Sequence, residues 1–387
     1  MRHLAWLLAL AAPAGAQSLE ADLRARISGF PGTVSLYARN LDTGAAVGIG
    51  ESAPVRAAST IKLPVMAAVF DAVRSGKIKW TKPLAVRKAD QLSGSGVIGS
   101  ELSAGVKLPL ADVVHLMIVL SDNTATNMVL DRVTANQVNA YLDRIGMRTT
   151  RALRKIRGDG AQLAPAQGWS DFGKQPENQR YGVGVTTPLD MVTILERLER
   201  GELVSPEASR EMIAILKRQQ DNTGIRRLID APIANKTGAL DALRADVGIV
   251  YSKGGRIAMA IYVDGMPKID YGPDNAGSLL ISGLAKLLVD GLAGPGQSAI
   301  RTWLPRSSSA GRLMTGSKPP NEPTSGTWGA CEESQEPARR GRQSTEDGRG
   351  RSQRTQKVNR GSAVNPHGEF SRTLGARGAG LSPATAP

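Results

Sequence analysis

The chain has 387 residues, with 49 Lys and Arg against 35 Asp and Glu, and a formal net charge of +14. Its length leaves one large or two small domains open. One Cys and three His exclude an intrachain disulfide, a four-cysteine zinc site and an iron–sulfur cluster in a monomer, and they argue against a multi-histidine metal site. Less than half of the basic excess lies beyond position 305, so nucleic acid is not the expected partner.

The first 16 residues predict a signal peptide. A short positive region, Met1 to His3, precedes nine apolar residues at positions 4–12, and Ala14-Gly15-Ala16 is a small-x-small cleavage signal. Nine apolar residues fall well short of the roughly 20 that span a bilayer. We therefore predict a mature start at Gln17 and a periplasmic or secreted protein without a membrane span.

Strand patterns occur at both ends of the body of the chain and helical patterns lie between them. Residues 33–39 and 45–49 predict one hairpin, and residues 247–252 and 256–263 predict a second. Apolar residues recur with helical period over residues 61–74, 109–120, 123–133, 135–145 and 188–199. This order predicts an α/β (α+β) fold, with a sheet domain from residues 17–57 and 207–304 and an inserted helical domain from residues 58–206.

Residues 305–387 form a basic tail rich in Gly, Pro, Ser and Arg, with few large apolar residues. Such a segment cannot bury enough apolar surface to offset the entropy of ordering it, so we predict disorder. Its Arg-Gly runs resemble nucleic-acid-binding segments, but no aromatic residue is interleaved with the arginines for base stacking. A solvated extension without function is the preferred interpretation.

The first chemical motif is Ser59-Thr60-Ile61-Lys62. A helix that starts here places Ser59 in its first turn, where unpaired N–H groups favour a developing negative charge. Lys62 follows three residues later and therefore shares the face of Ser59. A desolvated lysine can lose its proton and act as a base toward a serine hydroxyl. The motif alone is weak, because a capping Ser and a solvated Lys share its spacing.

Two further motifs follow in the chain. Ser121-Asp122-Asn123 comes after an apolar helical stretch, at a helix–helix junction where its side chains can turn into a cleft, although Ser121 is also a candidate helix cap. Lys236-Thr237-Gly238 lies in a predicted strand over residues 232–240 at the edge of the sheet. All three motifs in this order are rare by chance.

This combination resembles class A β-lactamases and penicillin-binding proteins. Residues 92–97, 116–118, 122–127 and 244–249 also resemble that family, and the resemblance covers about residues 19–292. It implies a β-lactamase/transpeptidase-like fold with an antiparallel sheet flanked by helices and an active site between the sheet and the helical domain. It also implies a monomer without cofactor or metal that acts on β-lactams.

The resemblance assigns roles in acylation. Ser59 resembles the nucleophile that opens the lactam, and Lys62 its base or proton shuttle. Ser121 resembles the hydroxyl that passes a proton to the leaving nitrogen. The N–H groups of Ser59 and Ala239 would form the oxyanion hole, where one donor is typically worth about 10²–10³ in rate.

The resemblance also assigns the substrate contacts. Asn123 resembles the amide that holds the substrate side chain, and Lys236 and Thr237 would meet the substrate carboxylate. Gly238 allows the backbone to approach closely. Arg244 is a candidate second positive group for that carboxylate, with a solvated surface Arg as an almost equal alternative.

The sequence departs from the family in one loop. Class A β-lactamases carry a Glu in a Glu-x-x-Leu-Asn loop before Thr-Thr-Pro, and that Glu activates the deacylating water. Thr-Thr-Pro is present at residues 186–188, but no such loop precedes it. Matching residues 150–154 to the family's Thr-Arg-x-x-Arg puts Ile156 at the Glu position. Glu177 is the best substitute, ahead of Asp171, and we predict it as an imperfect deacylating base.

Three functions remain open at this stage. The first is a secreted serine β-lactamase that confers β-lactam resistance. The second is a penicillin-binding peptidase acting on D-Ala-D-Ala stems, or a β-lactam-binding serine hydrolase that deacylates poorly. The third is a non-catalytic binding protein that acts through the basic tail. A Ser-His-Asp hydrolase is not favoured, because His115 lies in an apolar helix and the other two His lie in the leader and the tail.

Overall fold

The computed structural model describes residues 14–293, apart from the side chains of residues 14–17 and 161. Contacts divide the chain into two units, Met1–Ser307 and Ser308–Pro387, and the described residues belong to the first. The predicted leader up to residue 13 and the predicted tail from residue 305 lie outside the described residues. Among those that are described, no helix is long and apolar enough to cross a membrane.

The described residues contain helices and strands in the predicted order. The strands are β1 (Thr33–Asn40), β2 (Ala46–Ile49), β3 (Val55–Arg56), β4 (Pro83–Ala85), β5 (Lys107–Pro109), β6 (Arg151–Ala152), β7 (Gly184–Thr186), β8 (Ile233–Leu240), β9 (Leu243–Ser252) and β10 (Gly255–Asp264). The α-helices are α1 (Ala14–Ile27), α2 (Lys62–Arg74), α3 (Leu110–Val119), α4 (Asn123–Leu130), α5 (Ala135–Arg144), α6 (Asp171–Lys174), α7 (Pro188–Glu199), α8 (Pro206–Lys217) and α9 (Ala276–Gly291).

The main sheet is antiparallel and has the strand order β2-β1-β10-β9-β8. Both predicted hairpins are confirmed: Leu36 pairs with Ile49 in the first, and Gly255 pairs with Ser252 at the end of the second. Because β8 is an edge strand, one side of its backbone is not used by the sheet. The predicted strand that carries Lys236, Thr237 and Gly238 therefore faces the remainder of the fold along a free edge.

Helices cover both faces of the sheet, and this explains the apolar strands. In β10, Ala258, Ala260 and Tyr262 pack into a core with α2, α3, α7 and α8, whereas Ile257 and Met259 join a second core with α1 and α9. Successive strand residues point to opposite faces, so a strand covered on both faces is apolar throughout. The predicted fold class, an antiparallel sheet flanked by helices, is confirmed.

The middle of the chain supplies most of the helices. The five helices predicted by period correspond to α2, α3, α4, α5 and α7, and no end differs by more than three residues. Helix α7 begins at Pro188 because Thr187 caps its N-terminus by accepting from Asp190 N–H and proline suits the first turn. The helix packs on β10 and β1 of the sheet. The division into a sheet domain and a helical domain at residues 58 and 206 stays a prediction.

Candidate active site

Ser59 lies in a short 3₁₀ turn, Ala58–Ile61, and α2 begins only at Lys62. The predicted helix start is thus one tight turn followed by the α-helix, as is frequent at helix N-termini. Ala58 adopts φ +46°, a left-handed conformation that is strained for a residue with a side chain. The surrounding structure therefore holds the residue before Ser59 in a backbone conformation that it would not adopt by itself.

Buried hydrogen bonds tie the Ser59 turn to the sheet. The Thr60 hydroxyl donates to Ala57 O at 2.6 Å and lies 3.0 Å from the hydroxyl of Tyr262 in β10. From β8, Gly238 approaches so closely that an added Cβ would lie 3.2–3.3 Å from Thr60, Ala57 and Ala58. A side chain at this glycine would fit only if the turn or the strand shifted by a few tenths of an ångström, in agreement with the close approach expected of Gly238.

The ammonium of Lys62 connects the Ser59 turn to the helical side of the cleft. Its Nζ donates to Ser121 O at 2.6 Å, and lies 3.1 Å from Ser121 Oγ and 3.2 Å from Asn123 Oδ1. Lys62 is fully buried. Burial holds its pKa well below the usual value, the nearby charge of Lys236 lowers the pKa further, and Asp122 opposes both effects. A neutral amine that can accept a proton is therefore accessible to this lysine.

The Ser121 segment is held in an unusual conformation. Ser121 has φ +54°, and the residue that caps α4 is Asp122, whose carboxylate accepts from Ala125 N–H at 2.7 Å. The same buried carboxylate accepts from the N–H groups of Val97 and Ile98 at 2.7 and 2.8 Å. Because Asp122 does the capping, the alternative role of Ser121 as a helix cap is wrong, and its hydroxyl is left for Lys62.

Strand β8 forms the opposite wall of the cleft. Lys236 is completely buried, and its Nζ donates to Thr237 O at 2.8 Å. Burial lowers the pKa of Lys236 to about 8, against the opposing charges of Asp221 and Asp246. This lysine therefore keeps its positive charge at neutral pH, in contact with the backbone carbonyl of Thr237.

Two cavities open between these walls. The first, of about 310 Å³, is lined by Ser59, Ser121, Thr237, Gly238 and Ala239 among others. The second, of about 340 Å³, shares Thr237, Gly238 and Ala239 with the first and adds Arg244 and Tyr271. Each of the three motifs thus contributes at least one residue to the lining of these adjoining cavities: Ser59, Ser121, and Thr237 with Gly238.

Arg244 is largely buried rather than solvated. Its guanidinium donates to Leu240 O at 2.6 Å and to Leu243 O at 2.7 Å, bonds Asp270 O, and lies 4.6 Å from the centre of the Tyr271 ring. The structure does not support the alternative of a solvated Arg. It shows a positive group held at the wall of the second cavity.

Two acidic residues near Lys236 were not predicted. Asp221 lines both cavities, and Asp246 is buried where it accepts from Asn235 Nδ2 and Ile225 N–H. Burial raises the pKa of Asp246 to about 7. No motif marks Asp221, so the sequence held no signal for it; Asp246 lies within the family-like segment 244–249 and was not singled out there.

Glu177 does not join the cleft. It is exposed in the 3₁₀ turn Pro176–Tyr181 and lines neither cavity. Asp171, the second substitute, is exposed at the start of α6 and bonded to Lys174 and Asn136. Neither carboxylate lines the cavity that holds Ser59, so the structure does not bring the predicted deacylating base to the cleft.

Ile156, the residue at the expected Glu position, is bound through its backbone to α4. Its N–H donates to Asn127 Oδ1 at 2.8 Å, and its carbonyl accepts from Asn127 Nδ2 at 2.9 Å. Asn127 lies four residues after Asn123 on α4, so the two amides share one face of that helix. The backbone of Ile156 is thereby fixed about one helical turn from the amide that contacts Lys62. The side chain at this position is aliphatic and carries no base.

The model of the β-lactamase enzyme family matches residues 18–292. The chain belongs to this family. The predicted resemblance is confirmed, and the chain is a hydrolase of the β-lactamase type. In the described residues, no cluster of His, Cys, Asp or Glu could hold a metal ion.

Individual relatives include both β-lactamases and a penicillin-binding protein. A β-lactamase structure from Sphaerobacter thermophilus is 29% identical, with a TM-score of 0.61 over 71% of this chain and 97% of that one. A leucine-to-glutamate mutant of PBP-A, in an acyl-enzyme complex with penicillin G, is 28% identical, with a TM-score of 0.60 over 71% and 96%. A β-lactamase from Rhodobacter capsulatus is 27% identical over 51% of this chain, and the match spans 63% of that protein.

Proposed function

We propose that β-lactams acylate Ser59 and that the acyl-enzyme is hydrolysed slowly, as in a class A-like serine β-lactamase that lacks an efficient deacylating base. One observation carries this proposal: buried Lys62 bonds Ser121 and Asn123 beside the Ser59 turn, on the wall of a cleft whose other wall is β8. This arrangement supplies a nucleophile, a base, a proton donor and a positive wall.

The acylation step uses these groups in sequence. Neutral Lys62 takes the proton of the Ser59 hydroxyl as Oγ attacks the lactam carbonyl, and the N–H groups of Ser59 and Ala239 stabilise the oxyanion. Ser121, 3.1 Å from Lys62 Nζ, then transfers its proton to the lactam nitrogen as the C–N bond breaks, and it takes a proton from Lys62, which returns to its neutral form. The net result is the transfer of one proton from Ser59 to the leaving nitrogen.

The substrate is held by groups on both walls. Lys236 and Thr237 would bind the lactam carboxylate, and Arg244 adds positive charge on the wall of the adjoining cavity. Asn123 would bind the amide of the acyl side chain. Gly238 lets the backbone of β8 approach the turn that carries Ser59.

A second candidate function is a penicillin-binding peptidase. Such a peptidase uses the same acylation residues. The aliphatic side chain at position 156 favours it, because no carboxylate at this position can activate water for hydrolysis of the ester. The similarity to PBP-A, whose leucine-to-glutamate mutant was solved as an acyl-enzyme with penicillin G, agrees with stable acylation.

One experiment tests the proposal and separates the two functions. The purified protein is mixed with a chromogenic cephalosporin, and both colour and adduct mass are followed. Slow turnover predicts a stoichiometric burst, an accumulated adduct on Ser59 and a slow steady state, whereas a peptidase leaves a stable adduct and cleaves D-Ala-D-Ala peptides. The control is Ser59→Ala, which removes the nucleophile; an unchanged adduct in that variant would refute the assignment.

We also propose that the protein acts as a monomer exported to the periplasm or the medium, where slow hydrolysis confers β-lactam resistance. The support is the leader-like composition of residues 1–16. The N-terminal sequence of the protein recovered from the producing cell should begin at Gln17. An intact Met1 would contradict removal of the leader.

A further inference from the structure

Another carboxylate of the loop, that of Asp159, lies near the rim of the cleft, three residues after Ile156 in the chain. Its N–H donates to Ser93 Oγ at 3.0 Å, and the Ser93 hydroxyl donates to Asp159 O at 3.2 Å. Gly158, at φ +81°, makes the turn possible, and an added Cβ there would lie 2.9 Å from Ser93 Oγ. The loop is therefore hydrogen-bonded to Ser93 through the backbone of Asp159. The carboxylate of Asp159 takes no part in these bonds.

The carboxylate of Asp159 lies next to the amide of Asn123. Both groups border Gly94: an added Cβ on this glycine would lie 2.8 Å from Asn123 Nδ2 and 3.1 Å from Asp159 Oδ2. The two groups are thus within about 6 Å of each other. Ser95, one residue beyond Gly94, lines both cavities, so this pair stands at the edge of the cleft.

Within the described residues, no cation forms an ion pair with this carboxylate. Asp159 makes no side-chain hydrogen bond or ion pair within residues 14–293 and is exposed. The basic residues of the same loop are engaged elsewhere, since Lys155 pairs with Asp131 and Arg157 Nε donates to Ala164 O at 3.0 Å. The carboxylate of Asp159 is therefore an unpaired negative charge next to the amide of Asn123.

We propose that Asp159 determines specificity, by favouring acyl donors that carry an ammonium group next to the amide held by Asn123. This inference rests on the proposed acylation of Ser59. In that reaction the substrate carboxylate lies against β8 and its acyl side chain against Asn123, so a substituent next to the acyl amide points toward Asp159. The preferred substrate is then a zwitterion, with its anionic end at Lys236 and its cationic end at the loop.

Ampicillin and penicillin G test the proposal, because they differ only by an amino group next to the side-chain amide. The second-order rate constant of acylation is measured for both at pH 6, where that amine is largely protonated, by mass spectrometry of the full chain. In Asp159→Asn, the ratio of ampicillin to penicillin G rate constants should fall about threefold, the size expected for an exposed ion pair. In Asp159→Lys the ratio should fall further.

Two controls separate charge at this position from general effects. Glu207→Gln makes the same change in net charge at an exposed position of α8 that lines neither cavity, and it should leave the ratio unchanged. In 1 M salt, where charges are screened within about 3 Å, the difference between the unaltered protein and Asp159→Asn should disappear. A melting temperature of Asp159→Asn equal to that of the unaltered protein shows that the variant is folded.

The outcomes distinguish this inference from the proposed function. If both β-lactams acylate the protein but the ratio is the same in Asp159→Asn and Asp159→Lys, Asp159 does not select substrates and the inference is refuted. If the ratio falls equally in Glu207→Gln, the effect is one of net charge, which also refutes it. If neither β-lactam acylates the unaltered protein, the proposed function fails and the inference fails with it.

Discussion

Ile156→Glu should convert a slowly hydrolysed acyl-enzyme into a rapidly hydrolysed one. Two hydrogen bonds to Asn127, of 2.8 and 2.9 Å, fix the backbone of residue 156, and they do not involve its side chain. A rise of 1.5 Å per residue puts Asn127 about 6 Å along α4 from Asn123, whose Oδ1 lies 3.2 Å from Lys62 Nζ. A glutamate at 156 can span that distance and hold a water against the ester.

The expected gain follows from the usual worth of a positioned general base, about 10²–10⁴ in rate, or roughly 3–5 kcal/mol in barrier height. Ile156 is only half-buried, so replacing it should cost the fold no more than about 1–2 kcal/mol. Partial burial should also raise the pKa of the new carboxyl toward neutrality, which suits a base. The gain in deacylation should therefore appear in a protein that still folds.

The assay measures the lifetime of the penicillin G adduct by mass spectrometry after free drug is removed, together with steady-state turnover of a chromogenic cephalosporin. The lifetime should shorten at least about 10²-fold, while the acylation rate is unchanged. Ile156→Gln keeps the shape without the basicity and should not shorten the lifetime. If Ile156→Glu acylates and melts normally but its adduct is as long-lived as before, position 156 does not face the ester.

Three further results are expected. Glu177→Gln should change neither the burst nor the steady state, because Glu177 is exposed and lines neither cavity; a fall of about 10²-fold in the steady state would restore it as the base. The kcat/KM for acylation should fall as pH rises through about 8, since Lys236 loses the charge that binds the substrate carboxylate there; in Lys236→Arg this alkaline limb should be absent from the pH profile, and its persistence would assign it to another group. Asp122→Ala should lower the free energy of unfolding by about 3–5 kcal/mol in denaturant titrations, because three backbone N–H groups lose a charged acceptor; a loss below about 1 kcal/mol would show that water replaces the carboxylate.

Sequence patterns alone predicted the fold class, which is confirmed, and the residues that we propose for acylation. Alternating strand residues and helical stripes are local patterns, and both hairpins and the helices of the middle region could be predicted from them because burial repeats with the period of the backbone. The three motifs predicted Ser59, Lys62, Ser121 and Lys236 for a related reason. Within each motif, the residues that define it lie only one to three positions apart. Local spacing was sufficient there.

The surroundings of those residues depend on long-range packing, which the sequence patterns did not reveal. Glu177 has the right chemistry and lies in the right stretch of sequence, but the 3₁₀ turn that carries it points to solvent. Ile156 is placed by an asparagine 29 residues away, and Asp159 by a serine 66 residues away. Contacts between residues so far apart in the chain leave no period or spacing in the sequence, because each depends on how separate loops pack together. The pKa of Lys62 has the same origin, since burial and the charge of Lys236 exist only once the helices and the edge of the sheet have come together.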